Sequence, residues 1–236
     1  MAQPIHSAAA HFTTFFGHWL DHHQALLDQL LPLAASNGLT TDHNSHQLAS
    51  AIGQVLLHYQ HYFDEASKLA REDIFLLLSA PWLSPLERTF LWNGGFKPTL
   101  VFSLIDGRDL TAEQVRDIEQ LRAEAKRKER ELGEAMAGVQ ESVAAPPLQG
   151  LLRLRARGAR ALDGEEPDLE MAVEGLRAAM RGVLEGADAL RGATVRGLME
   201  VLRPDQTVRF LVAAAEFQLR VRRWGLEGNS KISKWR

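Results

Sequence analysis

The sequence predicts an all-α fold, a multi-helix bundle with a long central helix. Apolar residues recur at spacings of three and four over long windows. No run alternates apolar and polar residues as a half-buried strand does, and Pro, Gly and capping residues stand where helices would start and stop. At 236 residues the chain can bury a substantial core without covalent staples.

The first helix is expected from about Ala10 to Ala35, with Phe12, Phe15, Phe16, Trp19, Leu26, Leu27 and Leu30 on one stripe and Gly38 marking its end. Residues 1–9 read as a flexible N-terminus. A second helix follows from about Asn44, its stripe running through Leu48, Ile52, Val55, Leu56, Tyr59, Tyr62, Phe63, Ala66 and Leu69. The short connection makes the pair an antiparallel hairpin.

The stretch from Asp73 to Phe102 has the densest apolar content and the sharpest punctuation. Ser84-Pro85-Leu86-Glu87 has the form of a helix start, with Ser84 as cap, Pro85 at the first position and Glu87 reaching back to the cap amide. That helix is expected to run through Trp92. Asn93-Gly94-Gly95 supplies residues that tolerate positive φ where the chain must reverse, and Pro98 stands where a further short helix begins.

Thr111 to Gln114 repeats the capping-box pattern and opens a long helix to about Val143. Its seam of Val115, Ile118, Leu121, Ala125, Leu132, Met136, Val139 and Val143 is narrow, so the helix is expected to project from the body, ended by Pro146-Pro147. Residues 148–167 read as a linker or insertion. A further helix from Leu169 to Leu202 carries five interspersed glycines, which each cost an isolated helix about 1 kcal/mol and so imply close backbone packing or breaks. The last helix spans Thr207 to Trp224. Residues 10–224 thus form one helical domain, and residues 225–236 a basic flexible tail.

Charge is unevenly spread: residues 1–150 carry a net −7 and residues 151–236 a net +4. The signs are too mixed for the concentrated basic stripe of a nucleic-acid binder. No cysteine is present, which excludes disulfides and thiolate catalysis and fits a reducing compartment. The N-terminus lacks the pattern of a signal peptide, and no apolar run approaches a membrane span. The expectation is a soluble intracellular protein.

All nine histidines lie within the first 61 residues. His18 and His22 are four apart on the first helix, and His58 and His61 three apart on the second, spacings that suit ligation. If the helices pair as a hairpin the two sets lie level, and haem or zinc is the ligand they suggest. The alternative is that they bridge core and solvent beside the aromatic stripes. Catalytic motifs are missing: there is no G-x-S-x-G elbow, no phosphate-binding G-x-x-x-x-G-K-[ST] loop and no H-E-x-x-H pair. An enzyme is not expected. Lys126-Arg127-Lys128-Glu129-Arg130 is the densest basic run, and with glutamates threaded through it, it reads as a solvated helix face. Phe210, Phe217 and Trp224, seven apart, read as core. Phe12, Phe15, Phe16 and Trp19 exceed what one face needs, so some are candidates for an exposed partner-binding anchor; the alternative buries them, Phe16 and Trp19 above all, against the second helix and the Trp82 and Trp92 corner.

The words Asp73-Ile74-Phe75, Ser79 to Trp82, Pro85-Leu86-Glu87-Arg88, Phe90-Leu91-Trp92 and Gly94-Gly95-Phe96-Lys97-Pro98 resemble the most recognisable segment of the plant delay-of-germination domain. The same domain follows the basic leucine zipper in TGA-type transcription factors. Weaker similarity extends over nearly the whole chain. The resemblance implies a helical regulator in the nucleus or cytoplasm, acting in abscisic-acid, dormancy or stress signalling, with Trp82, Pro85, Glu87, Arg88, Trp92, Gly94, Gly95 and Phe96 as motif core. It implies type 2C protein phosphatases or basic-leucine-zipper (bZIP) factors as partners, and transcriptional regulation. Direct sequence-specific DNA binding is not expected, because in TGA-type factors the contact is made upstream of this domain. Haem binding has been associated with the family, but no histidine follows His61, so a haem site built on C-terminal histidines is excluded.

Overall fold

The structure is a computed structural model and describes residues 3–35, 42–143 and 165–233. Among these, α1 (Gln3–Ala35) and α2 (Asp42–Glu72) form the expected hairpin, their facing stripes meeting as Phe12, Phe16, Trp19, Leu26 and Leu30 against Val55, Ala66, Leu69 and Ala70. Helix α1 begins at Gln3, earlier than Ala10, so most of the stretch expected to be flexible is helical.

A short helix α3 (Ile74–Ser79) follows, capped by Asp73, whose carboxylate accepts from the Phe75 and Leu76 amides. Helix α4 is a single turn, Pro85–Arg88, and not the longer helix expected to reach Trp92. The chain instead forms a two-stranded antiparallel hairpin, β1 (Leu91–Trp92) on β2 (Gly95–Phe96). Asn93 (φ 44°) and Gly94 (φ 78°) make its turn, and positive φ at both central residues is what lets a two-residue hairpin follow the strand twist. A 3₁₀ segment, Pro98–Leu104, begins at Pro98 as expected.

Helix α5 (Ala112–Val143) starts at the expected box, Thr111 and Gln114 exchanging backbone and side-chain hydrogen bonds. It does not project. It lies along α6 (Glu165–Val201), which is unbroken, and two of the five glycines serve close packing: a Cβ at Gly186 or Gly197 would come within 2.9 Å of the Leu132 or Leu121 side chain on α5, whereas one at Gly175 or Gly182 would meet open space. Helix α7 (Pro204–Ser233) continues past Trp224, where the helix was expected to end and a flexible tail to begin, and packs along α1 and α4. The region expected as a linker, 148–167, lies outside the described residues up to position 164.

Two apolar layers result. One gathers Phe12, Phe16, Trp19, Leu69, Ile74, Leu77, Trp82 and Leu184; the other Leu26, Leu30, Phe102, Ile118, Leu198, Val208, Phe210 and Leu211. In the last helix Phe210 is buried and Phe217 packs edge-on to Phe90, as expected of core, but Trp224 is 56% exposed. The class is all-α, with two two-residue strands as its β structure among the described residues.

Candidate functional site

The motif-rich corner is held by ionic anchors reaching across the sequence. At the start of α4, Ser84 caps the Glu87 amide while Glu87 accepts the Ser84 N–H at 2.7 Å, the full capping box. The same Glu87 oxygen accepts from Arg222 of α7 at 2.9 Å, and Arg222 also donates to the Trp82 carbonyl. Glu87 is buried, so the pair is desolvated on its acidic side. Helix α7 approaches this turn at Gly225, where a Cβ would sit 2.0 Å from Ser84 Oγ. Only a residue without a side chain fits.

Arg191 of α6, itself buried, closes the hairpin turn. Its guanidinium donates to the carbonyls of Trp92, Asn93 and Phe96, pairs with Asp188, and lies over the Trp92 ring. Gly95 leaves it room, since a Cβ there would be 2.8 Å from the guanidinium carbon. Glu129 of α5 is buried too. It accepts the Thr99 amide at 2.6 Å and the Thr99 hydroxyl at 3.0 Å, with Lys97 at 3.6 Å. The basic run is therefore not wholly solvated: Arg127 and Lys128 make exposed pairs with Glu131 and Glu124, while Glu129 turns inward. Of the motif residues, Trp82 and Glu87 are buried, Trp92, Gly94, Gly95 and Phe96 half-buried, and Pro85 and Arg88 exposed.

The second locus is the seam between α1 and α2. Phe12, Phe16 and Trp19 are buried, and Phe15 is half-buried. Of the two readings of this row, an exposed anchor or burial, burial is what is found at those three positions, where α2 and the Trp82 ring, 4.3 Å from that of Phe12, cover them. Trp19 donates its indole N–H to the His58 carbonyl at 3.1 Å. Two imidazoles stack on its indole: His58 with centroids 4.3 Å apart and His23 at 4.8 Å, the two being 5.3 Å from each other. His22 meets His58 edge-on at 4.8 Å, and His61 meets Phe15 at 5.1 Å.

Of the four histidines paired by spacing, His18, His22 and His61 are exposed and His58 is buried. The His23 and His58 rings lie 16° from parallel with centroids 5.3 Å apart. Among the described residues no group of three or more His, Asp or Glu side chains is gathered to hold a metal ion. Spacing thus singles out three solvent-facing rings beside His58 and passes over His23, the most buried histidine among the described residues. Its signal was present: Phe12, Phe16, Trp19, His23, Leu26 and Leu30 form one stripe at spacings of three and four, and His23 is the polar member of it.

His23 is 2% exposed and His58 4%, and both His23 ring nitrogens and His58 Nε2 are buried without a hydrogen-bond partner. Burial holds the imidazolium form down, lowering His23 to about 4, with His22 adding to the effect. His58 is lowered to about 3, by burial first and then by His23, His22 and His61. Below them Tyr59, its acidity suppressed by burial, donates to Gln218 of α7 at 3.2 Å.

A family model described as DOG1, seed dormancy control, matches residues 26–106, which take in the end of α1, all of α2 and the motif segment from Asp73 to Phe102. The protein ZW2 of Arabidopsis thaliana is 40% identical over 234 residues, covering 94% of this chain and all of that protein. RESPONSE TO ABA AND SALT 1, also of Arabidopsis thaliana, is 37% identical, covering 93% of this chain and 96% of its relative. Transcription factor HBP-1b(c38) of Triticum aestivum is 28% identical over 92% of this chain but only 64% of its own length. The relatives are plant proteins, and the shared region recurs in TGA-type transcription factors. No described helix is long and apolar enough to cross a membrane. The chain belongs to the DOG1 family, whose helical domain it shares, nearly end to end, with plant regulators of the DOG1-like and TGA types.

Proposed function

We propose that the chain is a non-enzymatic regulator in abscisic-acid, dormancy or stress responses, acting in the nucleus or cytoplasm by binding other proteins. The observation that carries this reading is its alignment over 93% of its length with a protein named for its response to ABA and salt. Type 2C protein phosphatases and bZIP factors of the TGA type are the candidate partners. Trp82, Glu87, Trp92, Gly95 and Phe96 are engaged in holding the corner together, and the partner contacts are assigned to exposed apolar side chains elsewhere. Leu57 of α2, Met171 of α6 and Trp224 of α7, each more than half exposed, are the candidates.

Titration calorimetry of the full chain with a type 2C phosphatase, and separately with a TGA-type factor, tests the reading. Saturable binding to at least one is expected, weakened tenfold or more by Leu57→Asp, Met171→Asp or Trp224→Asp. Absence of binding to both, or binding indifferent to all three substitutions, contradicts it.

A further inference from the structure

We propose that the α1–α2 seam is a proton-sensitive joint, in which uptake of a proton by His23 or His58 loosens the hairpin and uncovers the aromatic row of α1. The inference holds whichever protein is bound.

The argument begins with what surrounds the two rings. A neutral imidazole carries one N–H donor and one acceptor nitrogen, and in His23 both are buried without partners. Protonation adds a second orphan donor and a full charge. The groups facing the pair supply nothing to neutralise it. From α1 come the Trp19 indole and His22; from α2 come Tyr59, Tyr62 and His61. Helix α7, packed along α1, contributes neutral Gln218, engaged by Tyr59, and Arg222, a cation that lies over the Phe16 ring and is held by Glu87. Asp21, two residues before His23, is exposed. No carboxylate acts on either imidazole, and the charges that do are other histidines, which repel.

Stacking of an imidazolium on the Trp19 face is attractive by itself. It does not rescue the arrangement, because both imidazoles share that indole and His22 and His61 stand beside them. The charged ring is better solvated in water, and reaching water requires α1 and α2 to part. Trp19 then loses its hydrogen bond to the His58 carbonyl, and Phe12 and Phe16, whose rings meet Tyr62 of α2, lose that cover. A buried histidine pair becomes a switch when its neutral form is required by packing.

The sign follows from linkage. Both groups bind protons more weakly folded than at their ordinary value of 6.5, so the unfolded or opened chain takes up more protons below that pH. The contribution to stability is complete above about pH 7. At one pH unit below 6.5 the folding equilibrium constant is lower by about tenfold for each imidazole, and the loss continues towards pH 4.

The test has two parts. Ring-proton NMR titration of the full chain is expected to show His23 and His58 neutral through pH 5.5. Unfolding by urea from pH 7.5 to 5.0 is expected to lose the steep part of its pH dependence in His23→Phe/His58→Phe and to keep it in His22→Gln/His61→Gln. Titration of both buried rings near 6.5, or an unchanged pH slope in a folded double-Phe variant, overturns the proposal. Should the double-Phe variant not fold, the wild-type titration decides alone.

Discussion

The corner and the seam lie side by side and are stabilised by opposite means. In the corner charge is met by charge or by backbone: Glu87 by Arg222 and its own cap, Glu129 by Thr99 and Lys97, Arg191 by three carbonyls and Asp188. In the seam the rings pack, but three imidazole nitrogens find no partner; the corner also holds two unpartnered buried atoms, Trp82 Nε1 and Asn93 Nδ2. An indole or amide N–H does not change charge in the physiological range, whereas an imidazole does, so a change of pH acts first on the seam. The difference separates scaffold from responsive element within one small domain.

Arg191→Ala breaks the comparison on the corner's side and has the largest expected effect. It leaves the Trp92, Asn93 and Phe96 carbonyls and the Asp188 carboxylate without their cation, at a cost of about 3–5 kcal/mol by urea unfolding. A loss under about 1 kcal/mol contradicts the role assigned to it. Gly225→Ala is a finer probe. The added methyl meets Ser84 Oγ at 2.0 Å and Cβ at 2.8 Å, so α7 must back away from the capping box, costing about 1–3 kcal/mol in thermal or urea midpoint. No effect there means that α4 and α7 are not locked as described.

Much of this frame was legible in the sequence. The helical class, the hairpin of α1 and α2, and both capping boxes follow from spacing and from residues three apart. Asn93-Gly94 announced its positive φ. What could not be read was set by distant partners: Arg191 lies about a hundred residues from the turn it closes, and nothing local marks Glu129 among exposed glutamates as the buried one. The α4 turn ends at Arg88 because the Asn-Gly turn folds Leu91–Trp92 onto Gly95–Phe96, strands too short for an alternating pattern to announce. At the seam, histidine spacing drew attention to ligand geometry, when the informative fact was that His23 and His58 occupy core positions of their stripes. His58 sits between Val55 and Tyr62 on α2 as His23 sits between Trp19 and Leu26 on α1.

Residue-resolved amide hydrogen exchange at pH 7 and pH 5.5, corrected for the intrinsic pH dependence of exchange, sets the two regions against each other within one molecule. Acidification is expected to lower protection in α1 and α2 around Trp19, His23 and His58 by tenfold or more, while the amides of Ser84, Glu87 and Thr99 in the corner change less. Equal loss in both regions, or none in the seam, contradicts the division of the fold into a fixed corner and a proton-sensitive hairpin.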